Sequence, residues 1–507
     1  MRQCLAFSLA ALLVSCLAER GPLTNRMAHS ATAYLSRAAR HPVGWQPWGR
    51  EAFALAARLD RPILLYIGAD DCGWCVRMDR ESYADPAVGA LIDSLFVPVR
   101  VDRDERPDIA RRYQAALQTL AGLRGYPVTI FLTPDGSPFF GGTYFPSDDP
   151  ITGRGLRQVL PEVARSYREQ REIIRRQAAL VRQLAVVKTA ASHGVVRPEL
   201  VDAQVAELAR AVEAATRAPE ALWTFPYGQS VALLLSEFGR FGDTAALRIA
   251  RAALAVVVDS LDARGPGGEM ELSPELARAL LLRNLAAAWV LTADPELRRR
   301  AAPLLRALAL RLEVPPPERP VFADRDAYVV AAVIEGGLAL GDTAAAGTAR
   351  RALDGLLDRV YAPGQGVRHA VVGSIAGLLQ DQVQVAAACL AAYEAFGDDR
   401  YLAVAVDLAA VLERDFADPE GGYFDSVHPD PAAPALADRT KQVLDDLLPG
   451  ANAWAARVLL RLADVTGERR YAQRAEAALA AFAGAIGAEG VRAASYLTAA
   501  RDALVRR

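Results

Sequence analysis

Cys72 and Cys75 form a Cys-x-x-Cys pair within DCGWCVRMD, the stretch from Asp71 to Asp79, and they are the one close pair among five cysteines. Three readings fit those residue types: a redox dithiol, half of a metal site, or two small buried side chains. The spacing lets the second sulfur attack a mixed disulfide formed by the first, which is the exchange reaction itself. A four-ligand zinc site lacks a second Cys-x-x-Cys and has no His nearby in sequence. The apolar run ILLYIGA leads directly into Cys72, and helical spacing follows it. A helix N-terminus presents free N–H groups and the positive end of its dipole, and both favour thiolate over thiol. Asp70 and Asp71 act against that preference.

The elements that must hold such a dithiol are legible on either side. RPILLYIGA (Arg61 to Ala69) and LFVPVRVD (Leu95 to Asp102) have the character of central strands. VTIFLTPDGSPFFGGTYF (Val128 to Phe145) reads as strand, Pro134-Asp135-Gly136 turn and returning strand. EAFALAARLD and DERPDIARRYQAAL carry helical spacing, with Pro107 acceptable in a first turn. Tyr126-Pro127 stands immediately before VTIFL, where a cis proline beside the dithiol would leave a backbone edge for a substrate chain. Together these parts make the thioredoxin arrangement. Cys72 is then the attacking thiolate and Cys75 the resolving thiol, with Trp74, Tyr126 and Pro127 as substrate contacts. Tyr66 holds the strand position where thioredoxins commonly carry a buried acid, and no proline lies between the cysteines. The alternative is a thioredoxin-like fold that binds without redox chemistry. Trp45 and Trp48 are read as packing under the site or as substrate contacts.

The chain's 507 residues exceed one domain, and 52% hydrophobic content suffices for a large core. A net charge of -2 gives no electrostatic footprint for nucleic acid. At the N-terminus Arg2 precedes CLAFSLAALLVS (Cys4 to Ser15), an apolar run of signal-peptide length and too short to span a bilayer. Leu13-Val14-Ser15-Cys16 resembles a bacterial lipobox, with Cys16 as the lipidated residue; an ordinary secretory signal or an uncleaved anchor is the alternative. The expected location is the periplasm or cell envelope, with a membrane lipid anchor if Cys16 is acylated. An oxidising compartment permits a disulfide between Cys72 and Cys75.

From Ile151 to about Ser192 a charged helical bridge is expected, read as a solvated face because Glu is interspersed with Arg. From about Pro198 onward the chain repeats a unit of helix, Gly-Asp-type turn and second helix. The turns fall at Asp243, Asp294, Asp342, Asp398 and Glu468, about 50 to 70 residues apart and so longer than common solenoid repeats. About six such units close more readily into an (α/α) toroid than they stack openly. The expected organisation is a signal over 1–20, a thioredoxin-like α/β domain over 21–150, a helical linker over 151–195 and an all-α toroid over 196–507.

Four segments resemble a specific family: NRMAHSATAYLSRAARHPVGWQPWGREAF (Asn25 to Phe53), CGWCVRMDRESYADPAV (Cys72 to Val88), VRVDRDERPDI (Val99 to Ile109) and GYPVTIFLTPDGSPFFGGTYFP (Gly125 to Pro146). That family pairs a thioredoxin-like domain with a helical toroid, and it includes the spermatogenesis-associated thioredoxin-like protein and bacterial relatives. The resemblance implies an α/β thioredoxin-like N-terminal domain and an all-α (α/α)6 toroid similar to six-hairpin glycosidases and sugar epimerases. It continues more loosely through YEAFGDDRYLAVA, GGYFDS and PGANAWAARVLLRLADVTGERRYAQRAE. Gly73 and Val76 stand where the family usually has His, and DARGPGGEMELS (Asp262 to Ser273) is what remains of its Gly- and His-rich loop.

Three functions compete. The first is an exported thiol–disulfide oxidoreductase acting on protein thiols or disulfides, with the toroid binding a partner or ligand. The second is a carbohydrate-active toroid with a regulatory thioredoxin-like domain, which needs a carboxylate pair across one bond. Asp262, Glu269, Asp381, Asp425 and Asp445 are candidates for it, although acids also cap helices and solvate loops. Tyr423, Asp425 and His428 are the toroid-pocket candidates. His369 is a candidate to face the same cavity as His428, and their spacing indicates no metal. The third is a noncatalytic envelope binding protein. Cys389 is expected to pack in the toroid core, and no cofactor is implied.

Overall fold

The computed structural model describes residues 23–189, 192–217, 224–264, 273–315, 319–373 and 375–506. The leader with Cys4 and Cys16, and Glu269, lie outside the described residues. The described chain divides into two compact units: residues 23–70, 74–185 and 430–437 in the first, and 71–73, 186–429 and 438–506 in the second.

The first unit runs α1 (Ala33–Arg37), β1 (Gln46–Pro47), α2 (Arg50–Leu59), β2 (Ile63–Gly68), α3 (Gly73–Glu81), α4 (Pro86–Leu95), β3 (Val97–Asp102), α5 (Pro107–Ala121), β4 (Val128–Leu132) and β5 (Pro138–Gly142). The sheet order is β1-β3-β2-β4-β5, with β1, β3 and β2 parallel and β4 and β5 antiparallel. Every residue of β2 and β3 is buried, which is why β2 reads as a continuous apolar run, while β3 alternates Val with Pro98, Arg100 and Asp102 and buries these as well. Pro107 opens α5, and Gly122, at φ 68°, closes it in the left-handed conformation that a residue with a Cβ rarely adopts.

Two further helices, α6 (Leu156–Glu169) and α7 (Arg171–Thr189), cover the segment read from sequence as a solvated bridge. Leu156, Val159, Leu160, Val163 and Tyr167 recur on one face of α6 and join Leu64, Phe131 and Phe139 in the core of the first unit. The charged side chains that dominate the sequence signal occupy the other face. Residues 430–437 also belong to this unit: Ala435 N donates to Asp135 O at 2.9 Å, and Trp48 Nε1 to Asp430 Oδ2 at 3.1 Å.

The second unit is helical. Its helices are α8 (Pro198–Thr216), α9 (Thr224–Phe241), α10 (Thr244–Arg264), α11 (Pro274–Thr292), α12 (Pro295–Glu313), α13 (Ala323–Leu340), α14 (Thr343–Val360), α15 (Leu379–Phe396), α16 (Asp399–Val411), α17 (Ala451–Thr466), α18 (Arg469–Ala480) and α19 (Ala494–Val505). Helices α9, α11, α13, α15, α17 and α19 each pack on the next, and α19 packs back on α9, so the ring closes. Around it α10, α12, α14, α16 and α18 pack on the preceding inner helix, and α8 packs on α19. Sequence decides which helix is inner. Every residue of α15 from Leu379 to Ala392 is buried, whereas α12 buries a single stripe of Ala301, Leu305, Leu308 and Leu312.

The recurrent acidic turns are helix caps. Asp243, Asp294, Asp342 and Asp398 each accept a backbone N–H from the first turn of the helix that follows. Glu468 stands at the same place without a side-chain cap, its carboxylate one carbon further out. The chain is therefore an α/β thioredoxin-like unit with an all-α (α/α)6 toroid, the architecture expected from sequence. Among the described residues no helix is long and apolar enough to cross a membrane.

Candidate functional site

Strand β2 ends at Gly68 and α3 starts at Gly73, so the chain places Cys72 just before the helix N-terminus and Cys75 in its first turn. Both cysteines are disulfide-bonded, and they are 1% and 0% exposed. Tyr66 Oη donates to the Cys75 carbonyl at 3.3 Å, which ties the strand to the first turn of the helix. A Cβ on Gly68 would lie 2.2 Å from Tyr34 Oη and 3.2 Å from Cys75 Cβ. Glycine is what lets Tyr34 and Cys75 close over the strand. Gly68→Ala is expected to cost about 1–3 kcal/mol through overpacking. A urea midpoint equal to that of the wild type would show that the contact is not tight.

The helix bearing the dithiol is held by a buried charge. Arg100, on β3 and 1% exposed, donates to Asp79 of α3 through two nitrogens at 2.8 and 2.7 Å. Its guanidinium also lies 4.3 Å from the ring centre of Tyr34 and 4.9 Å from that of Tyr66. Trp45 is fully buried in the same region, edge-on to Tyr83 at 4.9 Å, so it packs beneath the site rather than meeting a substrate. Sequence reading missed Arg100 and Asp79 as partners, because a local Asp–Arg pair is ordinary and nothing marks this distant one as bidentate.

A second buried group was also missed. Asp102 ends β3 directly opposite Gly68 on β2 and is 4% exposed. Burial, with the charge of Asp104 adding to it, pushes its carboxyl up to about 7 against the pull of the Asp104 N–H bond. The acid that thioredoxins commonly keep on the strand of Tyr66 is thus absent there, while a carboxyl titrating near neutrality sits one strand over.

At the surface of the site Trp74 is 37% exposed. Its ring lies 5.1 Å from that of Tyr144, and Arg77 covers both, 5.4 and 5.7 Å from their centres. Tyr144 Oη donates to Glu81 Oε2 at 2.7 Å, and Arg77 Nε to Glu81 Oε1 at 3.0 Å. Tyr126 is buried beneath the Arg103 guanidinium at 5.2 Å, and the Tyr126–Pro127 peptide is cis.

The toroid residues nominated from sequence have local partners. Tyr423 is buried, its N–H donating to Asn452 Oδ1 at 2.7 Å and its hydroxyl to Glu413. Asp425 accepts from Thr440 Oγ1 at 2.8 Å and Gln442 N at 2.6 Å, clamping a loop. His428 is exposed while His369 is fully buried. Asp445 accepts from the N–H groups of Gly450 and Ser495, and burial pushes it up to about 6. Asp262 lies in α10. Asp381 meets His369, Nδ1 to Oδ1 at 2.8 Å, and Asp324 completes a buried trio that no sequence spacing announces. A cavity of about 280 Å³ in this unit is lined instead by Leu312, Glu313, Arg319, Asp326, Thr348 and Arg359.

Residues 24–185 match the family Thioredox_DsbH. Its model carries the description "Protein of unknown function, DUF255". The chain is 39% identical over 150 residues to human (Homo sapiens) spermatogenesis-associated protein 20, covering 30% of this chain and 19% of that protein. An uncharacterized Caenorhabditis elegans protein is 36% identical over 166 residues, covering 33% and 23%. The match thus spans about a fifth of the length of these curated relatives. Among solved structures, an unsaturated glucuronyl hydrolase specific for heparin aligns with a TM-score of 0.46 at 11% identity, over 61% of this chain and 98% of that one. An unsaturated glucuronyl hydrolase from Bacillus sp. GL1 aligns at 0.45 and 15% identity, over 54% and 84%.

Proposed function

We propose that this protein is an exported thiol–disulfide oxidoreductase, held at a membrane surface through Cys16, with protein thiols or disulfides as substrates. The observation that carries the reading is the dithiol's placement: Cys72 directly before the N-terminus of α3, Cys75 in its first turn, and the half-exposed Trp74 between them. In the reducing direction the Cys72 thiolate attacks one sulfur of a substrate disulfide, forming a mixed disulfide and expelling the other sulfur as thiolate. Cys75 loses its proton and attacks Cys72 Sγ, closing the Cys72–Cys75 bond and releasing the second substrate thiolate. Two electrons pass to the substrate, and the oxidising direction is the same sequence reversed. Because Cys72 is 1% exposed, a protein substrate reaches it by displacing the cover over the sulfur. The aromatic and cationic surface of Trp74, Tyr144 and Arg77 is the place where an incoming chain would dock. The toroid serves to bind a partner or ligand.

The test is trapping. A Cys75→Ala chain cannot resolve the first step, so it is expected to accumulate mixed disulfides that dithiothreitol releases, whereas Cys72→Ala accumulates none. Cys389 does not interfere, because it is fully buried and burial pushes its thiol well up. Equal adduct yields from the two variants would sink the reading. Anchoring is tested separately: Cys16→Ser is expected to move the protein from the membrane pellet to the soluble envelope fraction.

A further inference from the structure

We propose that Asp324, His369 and Asp381 form a binding site for one divalent cation of the first transition series, enclosed within the toroid. Each side chain offers a ligand atom, and these atoms lie within 4.8 Å of one another. Ligands about 2.0–2.2 Å from one such ion stand about 3.3–3.6 Å apart in tetrahedral geometry, so closing on it needs shifts of up to about 1.5 Å.

The three are 3%, 0% and 0% exposed, so they are withdrawn from bulk solvent. There a carboxylate is tolerated when it is paired or coordinates a metal. Two carboxylates, a neutral imidazole and a divalent cation sum to zero charge. A second, independent observation points the same way: Asp381 Oδ2 is buried and has no hydrogen-bond partner. His369 Nδ1 engages Oδ1 of the same carboxylate, leaving Oδ2 as a fully desolvated lone-pair donor.

The scaffold fixes the ligands. Asp324 and Asp381 stand in the first turns of the inner helices α13 and α15, whose N-terminal dipoles favour ionised carboxylates. Asp324 Oδ1 accepts from Arg325 N at 2.7 Å. His369 is pinned through its backbone, its N–H donating to Ile375 O at 2.9 Å and its carbonyl accepting from Ala323 N at 2.7 Å. Its ring is stacked on Phe322 with centres 5.3 Å apart. Such backing holds a histidine ligand in one orientation. Mixed imidazole and carboxylate donors suit Mn²⁺, Fe²⁺ or Zn²⁺ rather than the all-oxygen preference of Mg²⁺ and Ca²⁺. This site is independent of the dithiol reading.

The experiment uses the full chain without a polyhistidine tag, with Cys72 and Cys75 kept oxidised so that neither binds metal. The protein is stripped with chelator, incubated with Zn²⁺ or Mn²⁺, desalted and measured by plasma mass spectrometry. The expected result is about one ion per chain for one of the two metals, with affinity weaker by about tenfold or more in His369→Ala and Asp381→Asn. Asp324→Asn, a nearly isosteric change, keeps the test decisive if those variants fail to fold. Chelator is expected to lower the melting temperature of the wild type and leave that of Asp324→Asn unmoved. Wild-type protein retaining neither ion, or folded variants binding as well as the wild type, would overturn the proposal.

Discussion

Asp79→Asn is expected to lower the stability of the thioredoxin-like unit by about 3–5 kcal/mol, the usual cost of stripping one partner from a buried ion pair. Exposed ion pairs contribute about 0–1 kcal/mol, so the size of the effect rests on burial. The Arg100 side chain is 1% exposed, against 19% for Asp79. Arg100 Nε already lacks a hydrogen-bond partner, so the amide leaves the guanidinium without its counter-charge and with one acceptor fewer, among the rings of Tyr34, Tyr66 and Trp45. Removing the other partner should cost less. Arg100→Met puts an apolar chain in the aromatic cage and leaves Asp79 able to reach water. Asp79 lies on the dithiol helix, so its loss should also speed hydrogen exchange along α3. Urea unfolding of the full chain, with exchange read at α3, checks both effects. A loss below about 1 kcal/mol for Asp79→Asn would mean that Arg100 finds water in the native state.

Asp102→Asn is expected to change how stability depends on pH. The Asp102 carboxyl is pushed up to about 7 by burial, from an ordinary 3.8. Between those values the unfolded chain has released the proton while the folded chain keeps it. The unfolded state therefore binds fewer protons, and this group makes stability fall as pH rises through the window. Below it both states are protonated and above it both are ionised, so the contribution is flat at either side. Asparagine imitates the protonated acid at every pH. The variant should therefore gain on the wild type from pH 4 to pH 8, by about 4 kcal/mol at most, taking about 1.4 kcal/mol per unit. Because other carboxylates titrate in the same range, the difference between the two curves is the quantity to read. A difference independent of pH would mean that Asp102 is ionised throughout.

These two groups illustrate what the sequence conveys and what it hides. Cys72, Cys75, the strand before them and the Tyr126-Pro127 strand-turn-strand are contiguous patterns, so local rules recover them. The ring is legible because Asp243, Asp294, Asp342 and Asp398 mark helix starts chemically, and because apolar residues recur at helical spacing in the runs between them. Arg100 and Asp79, by contrast, sit on different elements. So do Asp102 and Gly68, and so do Asp324, His369 and Asp381. Each of these acids reads alone as a cap or a solvated side chain, and only parallel strand register or ring closure brings the partners together. The α6 segment was read as a bridge for a related reason: its Arg and Glu residues are interspersed through the single apolar stripe that packs into the core.

The most direct test of the dithiol's function is an equilibrium redox titration of the purified protein, with mass-tagged alkylation of Cys72 and Cys75. A single reversible transition forming one bridge is expected. Its midpoint sets the direction, near about -270 mV for a reductant and near about -120 mV for a strong oxidant. Neither cysteine responding across that range would contradict exchange chemistry and leave the first unit as a binding scaffold.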